Sequence, residues 1–167
     1  MKTKRVFRSI ALFMMVATMS VMTAEAQTKG DKAVGGNLSF GSGDSYSNLG
    51  IGAKFLYNVA DPIRLEGAFT YFLEKDNISQ WDLSVYGHYL FNVADKVTLY
   101  PIAGLGLYNV KASYMGISAS ESEFGFTIGG GLDYQLTDKL VLTADLKYKM
   151  IKDMDRMIIS VGIAYKF

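Results

Sequence analysis

Met157-Ile158-Ile159-Ser160-Val161-Gly162-Ile163-Ala164-Tyr165-Lys166-Phe167 places a large apolar side chain at every odd position. Between them stand mostly small or polar residues. A period of two marks a strand whose faces meet different surroundings, because successive side chains point to opposite sides of a sheet. Read backwards from this stretch, the same alternation recurs between turn-rich breaks and predicts strands over 33–41, 49–57, 63–73, 80–91, 97–108, 123–134, 140–150 and 157–167.

One parity in each segment gathers the large apolar residues, among them Val34, Leu38 and Phe40, then Ile51 and Phe55, Leu65 and Phe69, Leu83 and Val85, Leu105 and Leu107, Phe126 and Ile128, Leu142 and Leu146, and Ile159 to Phe167. No charged residue falls on that parity. The opposite parity holds Lys54, Arg64, Glu66, Asp82, His88, Glu123, Asp133, Asp145, Lys147, Lys149 and Lys166 among Gly, Ser and Thr. A charge facing lipid near the bilayer midplane costs about 2 to 4 kcal/mol, so sorting of this kind suits a lipid-facing exterior around a polar interior. The expected fold is all-β, an eight-stranded antiparallel up-and-down transmembrane β-barrel. A soluble lipocalin-like binder would reverse the two faces, but its water-facing side would be dense in Lys and Glu rather than Gly, Ser and Thr.

The N-terminal segment agrees with export. Lys2, Lys4, Arg5 and Arg8 precede an apolar run from Ile10 to Met22, and Ala24-Glu25-Ala26 gives a small-x-small cleavage site. Residues 1–26 are therefore expected to be a cleaved signal peptide, with cleavage governed by Ala24 and Ala26, and residues 27–167 the barrel domain. Downstream no stretch is apolar enough to span as a helix, so membrane residence must come from strands. The chain has no cysteine, which excludes disulfides, thiolate metal sites and a lipidated N-terminal cysteine. No spacing of metal ligands is present, no cofactor is expected, and basic and acidic residues nearly balance, which gives no reason to expect nucleic acid.

Three connections, 58–62, 92–96 and 135–139, have equal length and resemble one another, as Asn-Val-Ala-Asp-Pro, Asn-Val-Ala-Asp-Lys and Gln-Leu-Thr-Asp-Lys. All fall at one end, which in such barrels faces the periplasm, while the variable connections face outward. Tyr57, Phe91, Tyr134 and Phe167 at the turn end and Trp81 at the loop end are placed as aromatic girdles. The longest connection, 111–122, carries Tyr114, Met115 and Ile117 as a possible contact patch for an extracellular partner.

Eight strands enclose a space that side chains alone can fill. Lys54, Arg64, Glu66, Asp82, Asp133, Asp145 and Lys147 are expected to form a buried, mutually paired network that plugs it. Symmetric closure of the first turn sets Tyr57 against Ile63 and Lys54 against Glu66, as an inward salt bridge. The same count about the third turn sets Gly129 against Asp145, Thr127 against Lys147 and Gly125 against Lys149. His88, the sole histidine, counts to the inward face near the turn end, a structural partner for Tyr100 or Arg64 and at the wrong end for a base at the outer rim. Gly104-Leu105-Gly106 and Gly129-Gly130-Gly131 open no helix and so are not phosphate loops. Pro101 lies inside a strand and predicts a bulge or irregular rim.

Leu99-Tyr100-Pro101-Ile102-Ala103-Gly104-Leu105-Gly106, Gly131-Leu132-Asp133-Tyr134-Gln135-Leu136-Thr137 and Val161-Gly162-Ile163-Ala164-Tyr165-Lys166-Phe167 resemble the OmpA/OmpX-like outer-membrane barrel family. The resemblance covers the whole mature part. It implies residence in the outer membrane among lipids and lipopolysaccharide. It also implies delivery by periplasmic chaperones to the barrel assembly machinery, with Tyr165 and Phe167 carrying the assembly signal. Larger members continue into a peptidoglycan-binding domain that has no counterpart here, so a cell-wall tether is not expected. The role expected is non-enzymatic, structural or in surface interaction. The alternatives are a narrow porin-like channel for ions or small solutes, and a lipid-modifying enzyme.

Overall fold

Alternation becomes strand wherever the turn chemistry allows it. The computed structural model describes residues 29–43, 47–75, 77–114 and 117–167, so the leader with Ala24 and Ala26 lies outside the described residues. The strands are β1 (Lys32–Gly43), β2 (Ser47–Ala60), β3 (Ile63–Lys75), β4 (Ile78–Tyr89), β5 (Phe91–Ala94), β6 (Val97–Tyr114), β7 (Ile117–Gln135), β8 (Leu140–Ile151) and β9 (Arg156–Lys166). All pairings are antiparallel, in the order β4-β3-β2-β1-β9-β8-β7-β6-β5, and β4 also pairs β6. That last pairing closes the sheet into a barrel. β4 and β5 are two halves of one stave, which makes eight staves.

The break in that stave sits where Pro101 lies in the neighbouring strand. The ladder stops after His88↔Ile102 and resumes at Phe91↔Leu99 with the register unchanged. Pro101 thus costs ladder bonds without making a bulge, consistent with its missing N–H. Leu90 instead donates its N–H to the Pro62 carbonyl at 2.8 Å.

The two parities separate as expected. Leu38, Ile51, Phe69, Leu83, Phe126, Leu146 and Val161 face outward and are exposed, while Lys54, Arg64, Glu66, Asp82, Asp133, Asp145 and Lys147 are each 7% exposed or less. Among the girdle aromatics, Trp81 stacks on Phe69 (6.2 Å between centroids) and Phe91 packs on Tyr89 (4.8 Å).

The register departs from symmetric closure. Tyr57 pairs with Leu65 rather than Ile63, and Lys54 sits across from Ala68 rather than Glu66. The cause is a two-residue turn, Asp61-Pro62, with a bulge between Asn58 and Ala60 that displaces the pairing. The second turn repeats this geometry, with its irregularity between Asn92 and Ala94 and Phe91 paired with Leu99. The third differs from both. Leu136 and Thr137 donate their N–H groups to the Leu140 carbonyl, and the Thr137 hydroxyl accepts from the Lys139 and Leu140 N–H groups. There Gly131 opposes Asp145, Gly129 opposes Lys147, Thr127 opposes Lys149 and Gly125 opposes Ile151, each two residues from the expected partner.

Following direct partners around the barrel gives its shear. Ala33, Leu56, Glu66, Tyr86, Gly104, Thr127, Lys149 and Arg156 are successive partners, and Arg156 returns to β1 at Gly43. The line climbs from Ala33 to Gly43, so the staves tilt and side chains distant along each strand share one height.

The segment 111–122 is largely strand rather than loop. β6 and β7 stay paired from Val97↔Tyr134 up to Tyr114↔Ile117. Met115 and the side chains of Tyr114 and Ile117 lie outside the described residues, so the contact patch expected there is not described.

Candidate functional site

The tilt assembles the lumen in layers. Nearest the turns, Arg64 Nη1 pairs with Asp133 Oδ2 at 2.5 Å, and its Nε donates to His88 Nδ1 at 3.1 Å. The guanidinium lies 4.6 Å over the Tyr100 ring, on which His88 also stacks at 4.7 Å. Because Nδ1 accepts, the ring proton belongs on Nε2, which faces Glu66 Oε2 at 3.9 Å. His88 is therefore held as a packing and hydrogen-bonding group.

One layer higher, four charges from three strands meet. Lys147 Nζ is 2.6 Å from Asp145 Oδ1 and 3.8 Å from Glu66 Oε1. Lys54 Nζ is 3.7 Å from Asp145 Oδ2 and 4.0 Å from Glu66 Oε2, and donates to Thr143 Oγ1 at 2.8 Å. The inward Lys54–Glu66 pair forms, as a diagonal contact rather than a direct cross-strand one. Lys147 also stands 4.8 Å over the Tyr86 ring. Glycine makes room for this layer: a Cβ on Gly129 would run into the backbone of Leu146 and Lys147, and one on Gly131 into the Tyr100 ring.

Further towards the loops, Lys149 pairs with Asp82 and donates to Ser84 Oγ at 2.8 Å, while Ser84 donates to Asp82 Oδ1 at 2.5 Å. The last layer centres on Arg156. Its Nη1 donates to Gln80 Oε1 at 3.0 Å and to the Tyr108 hydroxyl, and its Nη2 to Asn48 Oδ1 at 2.8 Å. The group lies 4.3 Å over Phe72 and 5.1 Å over Tyr108, and Phe72, Tyr108, Ile151 and Ile158 form one apolar cluster beneath it. Gly41 leaves the space that Arg156 fills.

All seven residues expected in the lumen network are inward, buried and paired. Two further cations complete it, Lys149 and Arg156. Arg156 falls one residue before the strand expected over 157–167, yet it sits on the even, inward parity of β9, and that parity is the signal for it. Among the described residues, one cavity of about 10 Å³ lies at the turn-end mouth, lined by Asp31, Asn58, Arg64 and Asp133, and another of about 10 Å³ lies in mid-lumen, lined by Ser39, Glu66, Thr70, Asp82 and Ser160.

At the turn end, Tyr165 and Phe167 face outward, 43% and 67% exposed. Phe167 donates its N–H to the Lys32 carbonyl, and Lys139 Nζ lies 5.9 Å over Tyr165.

At the loop end, β7 is paired on both sides only from Gly125 downward, since its topmost partner in β8 is Ile151. From 117 to 124 it pairs with β6 alone, and β6 is backed by β4 up to Ile78↔Ala112. The upper part of β7 is thus the outer strand of a raised sheet. Glu121 and Glu123 stand on one face of it, Ser120 and Ser122 on the other.

Residues 9–167 match the family model of the outer membrane protein beta-barrel domain. Outer membrane protein X of Escherichia coli (strain K12) is 21% identical over 170 residues, covering 96% of this chain and 99% of that relative. Ail, the attachment invasion locus protein of Yersinia pestis, is 25% identical with a TM-score of 0.63, over 84% of this chain and 100% of that structure. The N-terminal β-barrel domain of Pseudomonas aeruginosa OprF superposes with a TM-score of 0.71 at 16% identity, over 84% and 100%, and shows the fold alone. The chain belongs to the outer membrane protein beta-barrel domain family and is a β-barrel of the outer membrane.

Proposed function

We propose that the protein is a closed, non-enzymatic membrane anchor that holds an open sheet edge above the outer-membrane surface to attach a partner chain. The observation that carries this reading is β7, whose residues 117–124 pair on one side only. An unpaired edge offers N–H and C=O groups to an incoming strand, and side chains of alternating direction select which strand it is. Charge narrows the partner further. Among the described residues at the loop end, Glu74, Glu121, Glu123, Asp153 and Asp155 stand against Lys75, Lys111 and Lys152. Glu121 and Glu123, two apart on one face, favour an extended segment with basic residues at alternate positions. Ail, at 25% identity, is named for attachment and invasion, and that name adds to the reading.

The filled lumen belongs to the same proposal, as the rigid base of the hairpin rather than a path for solutes. Removal of residues 1–26, passage by periplasmic chaperones to the assembly machinery through Tyr165 and Phe167, and contact with lipid and lipopolysaccharide complete it.

The test is binding of a synthetic peptide alternating Lys with Thr or Val to the folded barrel. Binding is expected to be lost when alternate peptide amides are N-methylated, and to weaken about tenfold or more with Glu121→Lys and Glu123→Lys together. Equal binding of the N-methylated peptide would overturn the edge reading.

A further inference from the structure

Beyond residue 26 the chain has four methionines, and three of them, Met150, Met154 and Met157, fall within eight consecutive residues. They occupy the hairpin that joins β8 to β9 at the loop end, and all three are exposed. Contact with lipid does not account for them. Below the hairpin, Leu142, Leu146, Ile159, Val161 and Ile163 already face outward, so an apolar surface there needs no sulfur. Met154 stands in the connection itself, where short polar residues or glycine serve a turn better.

The ladder brings the three together. Tyr148 pairs with Met157 and Lys149 with Arg156, and the same count sets Met150 across from Asp155 and Met154 across from Ile151. Met150 and Met157 are thus diagonal neighbours on the outward face, roughly 7 Å apart and within reach of long side chains. Met154 closes the turn by donating its N–H to the Ile151 carbonyl at 3.0 Å, with Asp153 in the left-handed region at φ 60°. The Asp155 carboxylate fastens the loop. One oxygen accepts from the Ile151 N–H at 3.1 Å and the other from the Tyr148 hydroxyl at 2.9 Å. The backbone that carries the three thioethers is therefore held, while each side chain keeps three rotatable bonds with which to turn its sulfur towards a common point.

Three thioethers are a soft, uncharged donor set, of the kind that selects Cu(I) over hard and borderline cations. Among the described residues no group of three or more His, Cys, Asp or Glu could hold a metal, so harder ions find no rival site. The charge also fits. Asp155, across from Met150, sets one carboxylate beside the place a monovalent cation would take. Asp153 offsets Lys152 in the turn, and Lys149 and Arg156 are buried in the lumen. We infer that Met150, Met154 and Met157 form a surface site for a soft monovalent cation, Cu(I) or Ag(I), reached from outside the cell. The site lies on a different hairpin from the β7 edge and goes beyond the attachment reading.

The test is titration of the folded barrel, carrying isotope-labelled methionine methyls, with silver nitrate in chloride-free buffer. Ag(I) needs no reductant and shares the ligand preference of Cu(I). The methyl signals of Met150, Met154 and Met157 are expected to move together to a single saturation point. Cu(I) kept reduced with ascorbate should then displace the silver, and Zn(II) should leave the three signals in place. Leucine keeps the volume and apolar character of methionine, so Met→Leu variants are expected to fold, as checked by heat-modifiable mobility. Met150→Leu, Met154→Leu and Met157→Leu should each weaken binding about tenfold or more, and the triple variant should abolish it. Signals that stay in place, or that saturate at separate concentrations, would overturn the shared site. So would a folded single variant that binds Ag(I) as the parent does. Movement of the same signals by Zn(II) would overturn the soft-cation assignment. Peptide attachment at β7 is read separately, so either proposal can fail while the other stands.

Discussion

At the turn end of the lumen, buried cations face carboxylates: Arg64 meets Asp133, and Lys54 and Lys147 share Asp145 and Glu66. At the loop end, Arg156 donates to the amide oxygens of Asn48 and Gln80 and to a hydroxyl, and lies over two ring faces. The first region neutralises charge with charge, and the second spreads it over dipoles and π-electrons. A full counter-charge is a large favourable term that a single substitution can delete outright. Dipoles and ring faces are smaller terms, distributed over several residues, so no single loss is as severe. The two ends of one lumen should therefore differ in fragility.

The largest effect is expected from Asp145→Ala. It leaves Lys147 with only Glu66 at 3.8 Å and removes one of two carboxylates beside Lys54. Breaking a buried pair from one side typically costs about 3 to 5 kcal/mol. Urea unfolding of the barrel in lipid vesicles should show a loss of that order, and a loss below 1 kcal/mol would mean the layer repacks or admits water.

Arg156→Met is expected to cost less, about 1 to 2 kcal/mol, because the hydrogen bonds it loses go to the neutral Asn48, Gln80 and Tyr108, and Gln80 keeps donors from Asn48 and Tyr108. If it instead matched Asp145→Ala in the same assay, the contrast between the two ends would collapse.

What could be read from sequence follows the range of the forces involved. Alternation is local, so the lipid and lumen faces, and all seven network residues, were legible from parity alone. Register depends on turns, and a bulge beside Asp61-Pro62 or a threonine-capped turn at 137 shifts every pair by two without altering parity. The side-chain partners were less legible still. Lys149 reaches Asp82 from β8 to β4 only because the shear brings those positions to one height. From sequence the stretch 111–122 reads as the longest of the mostly polar connections. It is a hairpin because β4 and β6 template it, and pairing context outweighs such weak preferences.

The smallest effect should come from deleting a charge pair whole. Lys147 and Asp145 are two apart on one strand and touch at 2.6 Å, and replacing them together by Met and Leu removes one cation and one anion. Lys54 and Glu66 remain as a balanced pair at 4.0 Å, so no uncompensated charge is left in the layer. Apolar side chains of similar volume would still fill the space beside Gly129 and Tyr86. Replacing a buried pair in this way is often neutral or stabilising, so the double variant is expected within about 1 kcal/mol of the parent, or above it. Set against the loss for Asp145→Ala alone, that result would mean the turn-end charges are costly to break yet contribute little net stability. A double variant as unstable as the single one would show that the pair holds the layer together, and the two ends of the lumen would then differ in kind as well as in fragility.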